Sequence, residues 1–229
     1  EGAQTSADQI RRGLETLDSW VPSRGANVVA RAWTDPAFKQ RLLKDGNAAI
    51  AELGLKPDDV TDIIVSHIHW DHADGADLFP KATVWLQKDE YEYYVTDSGT
   101  AKQRAIDAEV AKVFHGLKGA GRVRLIPGDS QPVFPGIRVY TGGKHTFASE
   151  YVSVATRSGS VVLASDNAYL YENLDRRVAI AQTLDAASNV AAMGRMLRLA
   201  AAPRLVVPGH DPQVFTRFPV PGGRVARID

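Results

Sequence analysis

The 229-residue chain contains no cysteine. This absence excludes disulfide bonds and every metal site built on thiolates, so any metal ion must be held by histidine and carboxylate side chains. The chain also lacks an excess of either charge, because 27 lysines and arginines balance 27 aspartates and glutamates. Without a basic field, we expect no binding to nucleic acid and none to a membrane surface.

Long apolar runs are missing as well. No stretch approaches the ~20 residues of a membrane-spanning helix, and no apolar core of a secretory signal stands out. We therefore expect a cytoplasmic protein. The composition, 44% hydrophobic and 24% charged, is ordinary for a globular chain. The length allows one large domain or two small ones.

The sequence pattern changes near residue 55. Before this point the periodicity is helical, as in "SADQIRRGLETLDSW", where Ile10, Leu14 and Leu17 recur at helical spacing. No convincing strand precedes residue 60. We interpret residues 1–54 as a helical N-terminal segment without a catalytic role.

After residue 55 short apolar runs alternate with helical patterns. "TDIIVS", "ATVWLQ", "YVSVAT" and "SVVLAS" have the length and composition of strands, and Ser158-Gly159 between the last two is a hairpin signal. "TAKQRAIDAEVAKVFHGL" and "TLDAASNVAAMGRMLRLAAA" read as helices, the second of them long. This alternation predicts an α/β layered domain over residues 55–229, with its functional site at the ends of the strands.

The stretch "HIHWDH" follows the first of these strands directly. His67 and His69 are two residues apart, so on an extended segment their side chains point the same way, and Asp71 and His72 follow at once on what must be a turn. Neutral imidazole and carboxylate suit zinc, and also iron, manganese or cobalt. The alternative, polar surface residues at a turn, is disfavoured because this combination after a buried strand is rare.

Three further residues of metal-ligand type are each predicted at the C-terminal end of an apolar strand: His145, Asp166 and His210. A single histidine in such a place is more often structural. Three such residues, in a chain that also carries the histidine cluster, indicate ligands instead. The sixth histidine, His115, lies at a polar helix end, where we expect it to be solvated or to cap the helix.

The order "HIHWDH", His145, Asp166, His210 resembles the metallo-β-lactamase superfamily, and within it the N-acyl homoserine lactonases. Tyr169 in "SDNAYLYENL" stands three residues after Asp166, as in that group. Over residues 55–229 the resemblance implies an αββα sandwich of two β-sheets with a dinuclear metal site at one edge. It implies one ion held by His67, His69 and His145, a second held by Asp71, His72 and His210, and Asp166 bridging both.

The resemblance also implies a hydrolase chemistry. Two divalent ions about 3.5–4 Å apart share a water and lower its pKa, so that the resulting bridging hydroxide attacks an ester-type bond. Tyr169 would donate a hydrogen bond to the oxyanion, and Asp71 would pass a proton to the leaving group. Packing at a sheet edge is the alternative role for Tyr169. Trp70, Phe147 and Tyr151 flank the ligands and would line an apolar pocket or pack in the core.

The chain departs from this family at its start, because the family usually opens with several β-strands. Residues 21–54, above all "VVARAWTDPAFKQRLL", instead resemble the helical N-terminal part of the nitrile hydratase α subunit. That enzyme's metal centre needs cysteines, so we expect no nitrile chemistry here. The sequence therefore predicts a chimera that lacks the first strands of the sandwich. An exposed sheet edge favours a homodimer, with exchanged N-terminal helices as one arrangement.

Three functions stay open at this point. The first is a dinuclear metal-dependent hydrolase of lactonase type, with zinc as the first candidate metal. The second is phosphotriester or aryl ester hydrolysis by the same site, since loss of the first strands would widen the pocket. The third is an inert, metal-stabilised fusion module, which the complete ligand set disfavours.

Overall fold

The structure is a computed structural model that describes residues 56–97, 99, 101, 106–220 and 226–228. The chain divides into two units, and the described residues, apart from Lys56, belong to the second, Pro57–Asp229. The predicted N-terminal helical segment lies outside the described residues. None of the described helices is long and apolar enough to cross a membrane.

The first sheet contains three parallel strands in the order β1-β2-β3. Its strands and the helices between them are β1 (Asp62–Ile64), α1 (Trp70–Ala73), β2 (Thr83–Gln87), α2 (Lys88–Tyr94), α3 (Ala108–Gly119) and β3 (Val123–Ile126). Parallel neighbours need long crossovers, which explains why helices separate these strands in sequence.

Helix α3 is shorter than the pattern in "TAKQRAIDAEVAKVFHGL" predicts. It begins at Ala108 because the side chain of Asp107 accepts a hydrogen bond from the N–H of Glu109 and caps the helix. Upstream, Ala101 pairs with Val95 in an antiparallel bridge instead of continuing a helix. At Ala101, a backbone pairing with a residue outside the local pattern therefore takes the place of the predicted helix.

The second sheet contains five strands in the order β4-β5-β6-β7-β8, antiparallel except for the parallel pair β7-β8. They are β4 (Gln131–Phe134), β5 (Ile137–Thr141), β6 (Glu150–Thr156), β7 (Gly159–Ser165) and β8 (Val206–Pro208). The hairpin predicted at Ser158-Gly159 joins β6 and β7. Strand β4 was not predicted, because Pro132 argues against a strand, but β4 is an edge strand and tolerates it.

Three helices accompany the second sheet: α4 (Tyr171–Arg176), α5 (Ala186–Leu199) and α6 (Val214–Arg217). The predicted long helix corresponds to α5. It begins after Asp185, whose carboxylate accepts a hydrogen bond from the N–H of Ser188. Helices α4 and α6 are too short to show a helical period in the sequence.

Each sheet has a core of its own with its helices. Leu86 of β2 and Phe114 of α3 are fully buried in the first core, and Val162 of β7 and Met193 of α5 are fully buried in the second. Burying a side chain of this size stabilises the fold by about 1.5–3 kcal/mol. The helices therefore cover one face of each sheet.

The two sheets also contact each other. The rings of Trp85 on β2 and Phe134 on β4 meet edge to face with centroids 5.3 Å apart. The N–H of Glu150 at the start of β6 donates to the carbonyl of Ser66 at 2.8 Å. This second contact brings the carboxyl end of the first sheet, where the histidine motif begins, against the second sheet.

Candidate metal centre

The histidine motif leaves the first sheet at the end of β1. The N–H of Val65 still bonds to the carbonyl of Trp85 at 2.8 Å, so the chain remains in register with β2 until it reaches the fully buried His67. His69 then forms the N-cap of α1, which carries Asp71 and His72. The sequence predicted a turn here, and one turn of helix is what presents these two side chains.

The other three predicted ligands come from the second sheet. His145 lies in the connection between β5 and β6, Asp166 follows β7, and His210 follows β8. The prediction that His145 ends a strand is wrong, because β5 ends at Thr141. The structure nevertheless brings all seven predicted ligands together at one edge of the sandwich.

His67, His69 and His145 form the first donor group. Nδ1 of His69 lies 3.1 Å from Nε2 of His67 and 3.0 Å from Nε2 of His145. A tetrahedral zinc ion with nitrogen ligands at about 2.0–2.1 Å would separate these nitrogens by about 3.3–3.4 Å. The three rings therefore converge as a metal ion requires, with little movement needed.

Burial keeps the first donor group neutral. It lowers the pKa of His67 well below its ordinary value, lowers the pKa of His69 to about 4, and lowers the pKa of His145. A metal ion binds the neutral imidazole through its lone pair, so these shifts favour binding near neutral pH.

Asp71, His72 and His210 form the second donor group. Nε2 of His72 lies 3.3 Å from Nε2 of His210 and 3.5 Å from Oδ2 of Asp71. Oδ2 of Asp71 lies 3.8 Å from Nε2 of His210. This group is more exposed, since the side chains of Asp71 and His210 are 26% and 36% accessible. Two nitrogens and a carboxylate fit a second divalent ion.

Asp166 lies between the two donor groups and faces both. Its Oδ1 is 2.9 Å from Nε2 of His210 and 3.0 Å from Nε2 of His72, while its Oδ2 is 3.3 Å from Nε2 of His145. Burial raises the pKa of Asp166, but hydrogen bonds from His210 and His72 outweigh it and hold that pKa well below its ordinary value. The hydrogen bond with Asp166 in turn raises the pKa of His210. An ionised carboxylate with one oxygen toward each group fits a bridging ligand.

Gly209 allows His210 to come this close to Asp166. A Cβ atom at this position would lie 2.8 Å from Oδ1 of Asp166 and 2.8 Å from the carbonyl carbon of Ser165. The backbone N–H of Gly209 donates to Ala168, and that of His210 donates to Tyr169 at 3.0 Å. The sequence "VVPGHD" therefore needs its glycine for a close approach of two chain segments.

Partners outside the donor groups fix the orientation of the histidine rings. Nδ1 of His145 lies 2.8 Å from the carbonyl of Gln182, so it donates there and leaves Nε2 free as a ligand. Nδ1 of His67 lies 3.1 Å from Oγ of Ser66, which lies 2.7 Å from Oγ of Ser165, and Ser165 reaches Nδ1 of His72 at 3.5 Å. A pair of hydroxyls thus connects one ring of each donor group. Sequence analysis missed both serines, although each directly precedes a predicted ligand.

Asn167 is a further residue of the site that could not be picked out from the sequence. It is buried next to Asp166, and its side-chain oxygen accepts the N–H of Gly143 at 2.6 Å. Its side-chain nitrogen donates to the carbonyls of Glu150 and Ala164. Asn167 therefore ties the connection that carries His145 to the end of β7.

Tyr169 lies beside both donor groups. Its ring is 5.7 Å from that of His145 and 5.7 Å from that of His210, and its hydroxyl is 3.4 Å from Nδ1 of His145. Burial raises its pKa to about 12. The phenol therefore keeps its proton at neutral pH and can donate a hydrogen bond.

The aromatic residues that flank the ligands, and His115, lie in different surroundings. Tyr151 is fully buried and stacks on Tyr140, so it packs in the core. Phe147 stacks on the partly exposed Tyr93 with centroids 3.9 Å apart, and Trp70 packs partly buried against the first core. His115 was expected to be solvated or to cap α3. It is instead half-buried within α3, where its side chain lies against Gly99.

Comparisons with known proteins agree with both resemblances. The family "Nitrile hydratase, alpha chain" matches residues 2–72. The cobalt-containing nitrile hydratase subunit alpha of Pseudonocardia thermophila is 62% identical over 51 residues, 22% of this chain and 25% of that protein. An N-acyl homoserine lactonase of Bacillus thuringiensis is 31% identical over 134 residues, 58% of this chain and 48% of that protein. The chain thus spans about half the length of this lactonase.

Solved structures show the same fold. A crystal structure of a mutant Bacillus thuringiensis lactonase with N-decanoyl-L-homoserine bound at its active site has a TM-score of 0.61 and 24% identity, covering 75% of this chain and 64% of that one. A dizinc quorum-quenching lactonase has a TM-score of 0.56 and 14% identity, covering 72% and 62%. The second unit therefore has the metallo-β-lactamase fold, as the sequence predicted. Several of the proteins that this unit is similar to are N-acyl homoserine lactonases.

Proposed function

We propose that the chain is a metal-dependent hydrolase that binds two divalent ions and opens lactones or related esters. The observation that carries this proposal is the pair of donor groups on either side of Asp166, with one carboxylate oxygen toward each. The relatives support it, since one similar structure has the product N-hexanoyl-L-homoserine bound at a catalytic metal centre and another is dizinc.

The donor chemistry fits the ions proposed. Five imidazoles and two carboxylates, with no sulfur, suit zinc first and iron, manganese or cobalt next. When bound, the ions would supply Lewis-acid polarisation of the scissile carbonyl and activation of water. The two donor groups and the bridging Asp166 would hold them side by side.

The chain's own residues supply orientation and proton transfer. The phenol of Tyr169, protonated because its pKa is raised to about 12, donates a hydrogen bond to the oxygen that becomes negative as the carbonyl is attacked. The carboxylate of Asp71, one quarter exposed, takes up the proton that the attacking water loses and passes it to the departing alkoxide. Since the second donor group faces solvent, substrate enters and product leaves on that side.

A second candidate is hydrolysis of phosphotriesters or aryl esters by the same residues. It is favoured by the accessibility of Asp71 and His210, which leaves room for a substrate bulkier than a lactone. The third reading, an inert metal-stabilised module, predicts that removing the metal unfolds the domain without any turnover being lost.

The organisation of the whole chain also stays a proposal. We propose a homodimer in which an apolar part of the sandwich is covered by the second copy. Among the described residues β1 has a neighbour on one side only, and Leu163 of β7 is 41% exposed. The chimeric origin of residues 1–54 and the cytoplasmic location likewise stay predictions. Light scattering at twice the monomer mass supports the dimer, and the monomer mass contradicts it.

Parallel rate measurements on metal-loaded protein test the activity. One substrate is an acyl homoserine lactone, the other is paraoxon, and His69→Ala is the control. We expect both rates to fall in the control and the lactone to be the faster substrate. Faster paraoxon hydrolysis would favour the second candidate, and rates unchanged in His69→Ala would contradict the proposed site.

A further inference from the structure

Glu90 lies on α2, outside both donor groups, and is fully buried. Its two carboxylate oxygens have different partners. Oε1 accepts a hydrogen bond from the backbone N–H of Ile68 at 3.2 Å, and Oε2 accepts one from the backbone N–H of Ala148 at 2.7 Å. A buried carboxylate is costly unless it is hydrogen-bonded, and these two contacts reduce that cost.

The two partners belong to the two segments that supply the first donor group. Ile68 stands between His67 and His69, and Ala148 follows His145 by three residues. The first segment leaves the parallel sheet and the second joins two strands of the other sheet. The side chain of Glu90 therefore connects the two ligand segments, whose backbone N–H groups are separated by the distance that one carboxylate can span.

Helix α2 makes a further contact with the His145 segment. The hydroxyl of Tyr94, one turn after Glu90, accepts the N–H of Phe147 at 3.2 Å. The helix itself is anchored in the first core, where Tyr91 and Tyr94 are buried beside Leu86. Helix α2 thus contacts the backbone of both segments that supply the first donor group.

We infer that Glu90 is a positioning residue that sets the spacing between His145 and the His67–His69 pair, and thereby the affinity for the first of the two ions. The inference rests on the proposed metal centre. The second donor group shares the Ile68 segment, since Asp71 and His72 follow it on α1. Its third ligand, His210, comes from after β8 and not from the His145 segment that Glu90 and Tyr94 contact. Loss of the Glu90 contacts is therefore expected to weaken one ion selectively.

Glu90→Gln tests this with little change in volume. An amide has one oxygen, so it can accept from Ile68 or from Ala148, and its NH₂ group then faces the other N–H. Cobalt(II) titration followed by visible absorption, with chelator competition, gives the two dissociation constants. We expect one constant to rise about 10–100-fold, as when other outer partners of metal ligands are lost, and the other to change little.

Two single-site backgrounds identify which ion is affected. In Asp71→Ala the first donor group remains whole, and adding Glu90→Gln should weaken the remaining ion. In His145→Ala the second donor group remains whole, and adding Glu90→Gln should leave its affinity unchanged. Equal weakening in both backgrounds would overturn the inference.

Glu150→Gln is the matched control. Glu150 is as buried as Glu90, but among the described residues its carboxylate accepts no hydrogen bond from either ligand segment. The Glu150→Gln variant should bind both ions with the same affinity as the unchanged protein. If the unchanged protein binds no ion, the proposed function fails; if it binds two and Glu90→Gln matches Glu150→Gln, only the role of Glu90 fails.

Tyr94→Phe keeps the test decisive if Glu90→Gln does not fold. It removes the acceptor of the Phe147 N–H and leaves the ring in the core. We expect a smaller loss of affinity for the same ion, measured in the Asp71→Ala background. An unchanged affinity there would overturn the inference.

Discussion

The two donor groups differ in how far they are closed to solvent. The side chains of His67 and His145 in the first are 1% accessible, whereas those of Asp71 and His210 in the second are 26% and 36% accessible. The first group is surrounded by outer partners from both sheets, and the second opens outward. Under the proposed function this difference divides the roles. The buried donor group would hold an ion that anchors the site, and the accessible donor group would hold the ion that meets substrate.

Removing a ligand of the buried group should have the largest effect. His67→Ala deletes a donor that belongs to the first group and also lies 3.9 Å from Oδ2 of Asp166. We expect loss of one ion and a fall in kcat/KM of more than about 100-fold, beyond the effect of losing an outer partner. Metal analysis and lactone kinetics measure both. Undiminished metal content would show that the buried group is not a metal site.

The stability of the fold should decrease as pH rises, because Glu150 is buried. Burial raises the pKa of Glu150 from 4.5 to about 8. Because the pKa of Glu150 is higher in the folded protein than in the unfolded chain, this group contributes stability that is complete below pH 4.5. That stability is lost as the pH rises from there through about 8. We expect up to about 3–5 kcal/mol of unfolding free energy to depend on this group.

Denaturant unfolding of Glu150→Gln between about pH 4 and about pH 9, values that lie on either side of the shift from 4.5 to about 8, measures this contribution. The amide cannot ionise, so the variant should lose less stability than the unchanged protein on going to the alkaline end. Parallel curves for the two proteins would show that Glu150 does not titrate as its burial predicts.

Tyr169 lies beside both donor groups, where the proposed function places the substrate. Tyr169→Phe removes the hydroxyl and keeps the ring near His145 and His210. We expect kcat to fall about 100-fold, the effect of losing one oxyanion donor, with both ions retained. A fall in metal content instead of kcat would make Tyr169 a packing residue, which was the alternative from sequence.

The smallest expected effect comes from the serine pair. Ser165→Ala removes the hydroxyl that links Ser66 to Nδ1 of His72. We expect the affinity for the second ion to weaken about 10-fold, with the first ion within error. Titration with cobalt(II) measures this. A larger loss at the first ion would reverse the proposed difference between the groups.

Features of the site were predictable from the sequence where the residues involved lie close together along the chain. His67, His69, Asp71 and His72 were predicted because all lie within six residues. Asp166 and His210 were predicted because each follows a run of strand residues. The pairing of these elements into two sheets came from resemblance, since no local pattern states which strands are neighbours.

The contacts that fix the site could not be predicted in this way. Glu90 contacts Ala148 across 58 positions and Ser66 contacts Ser165 across 99, and nothing in the sequence near either residue signals such a partner. The same limit explains the start of α3, where the bridge between Val95 and Ala101 overrides the helical period. Local helix propensity determines whether a segment is helical only where no hydrogen bond to a distant part of the backbone competes with the helix.

Metal stoichiometry tests the central claim most directly. Protein loaded with zinc and freed of loosely bound ions is analysed for metal per chain, together with Asp71→Ala and His145→Ala. The account predicts two ions in the unchanged protein and one in each variant, with the ion held more tightly in Asp71→Ala, where the buried group is whole. No bound ion in the unchanged protein, or the same count in all three, would contradict it.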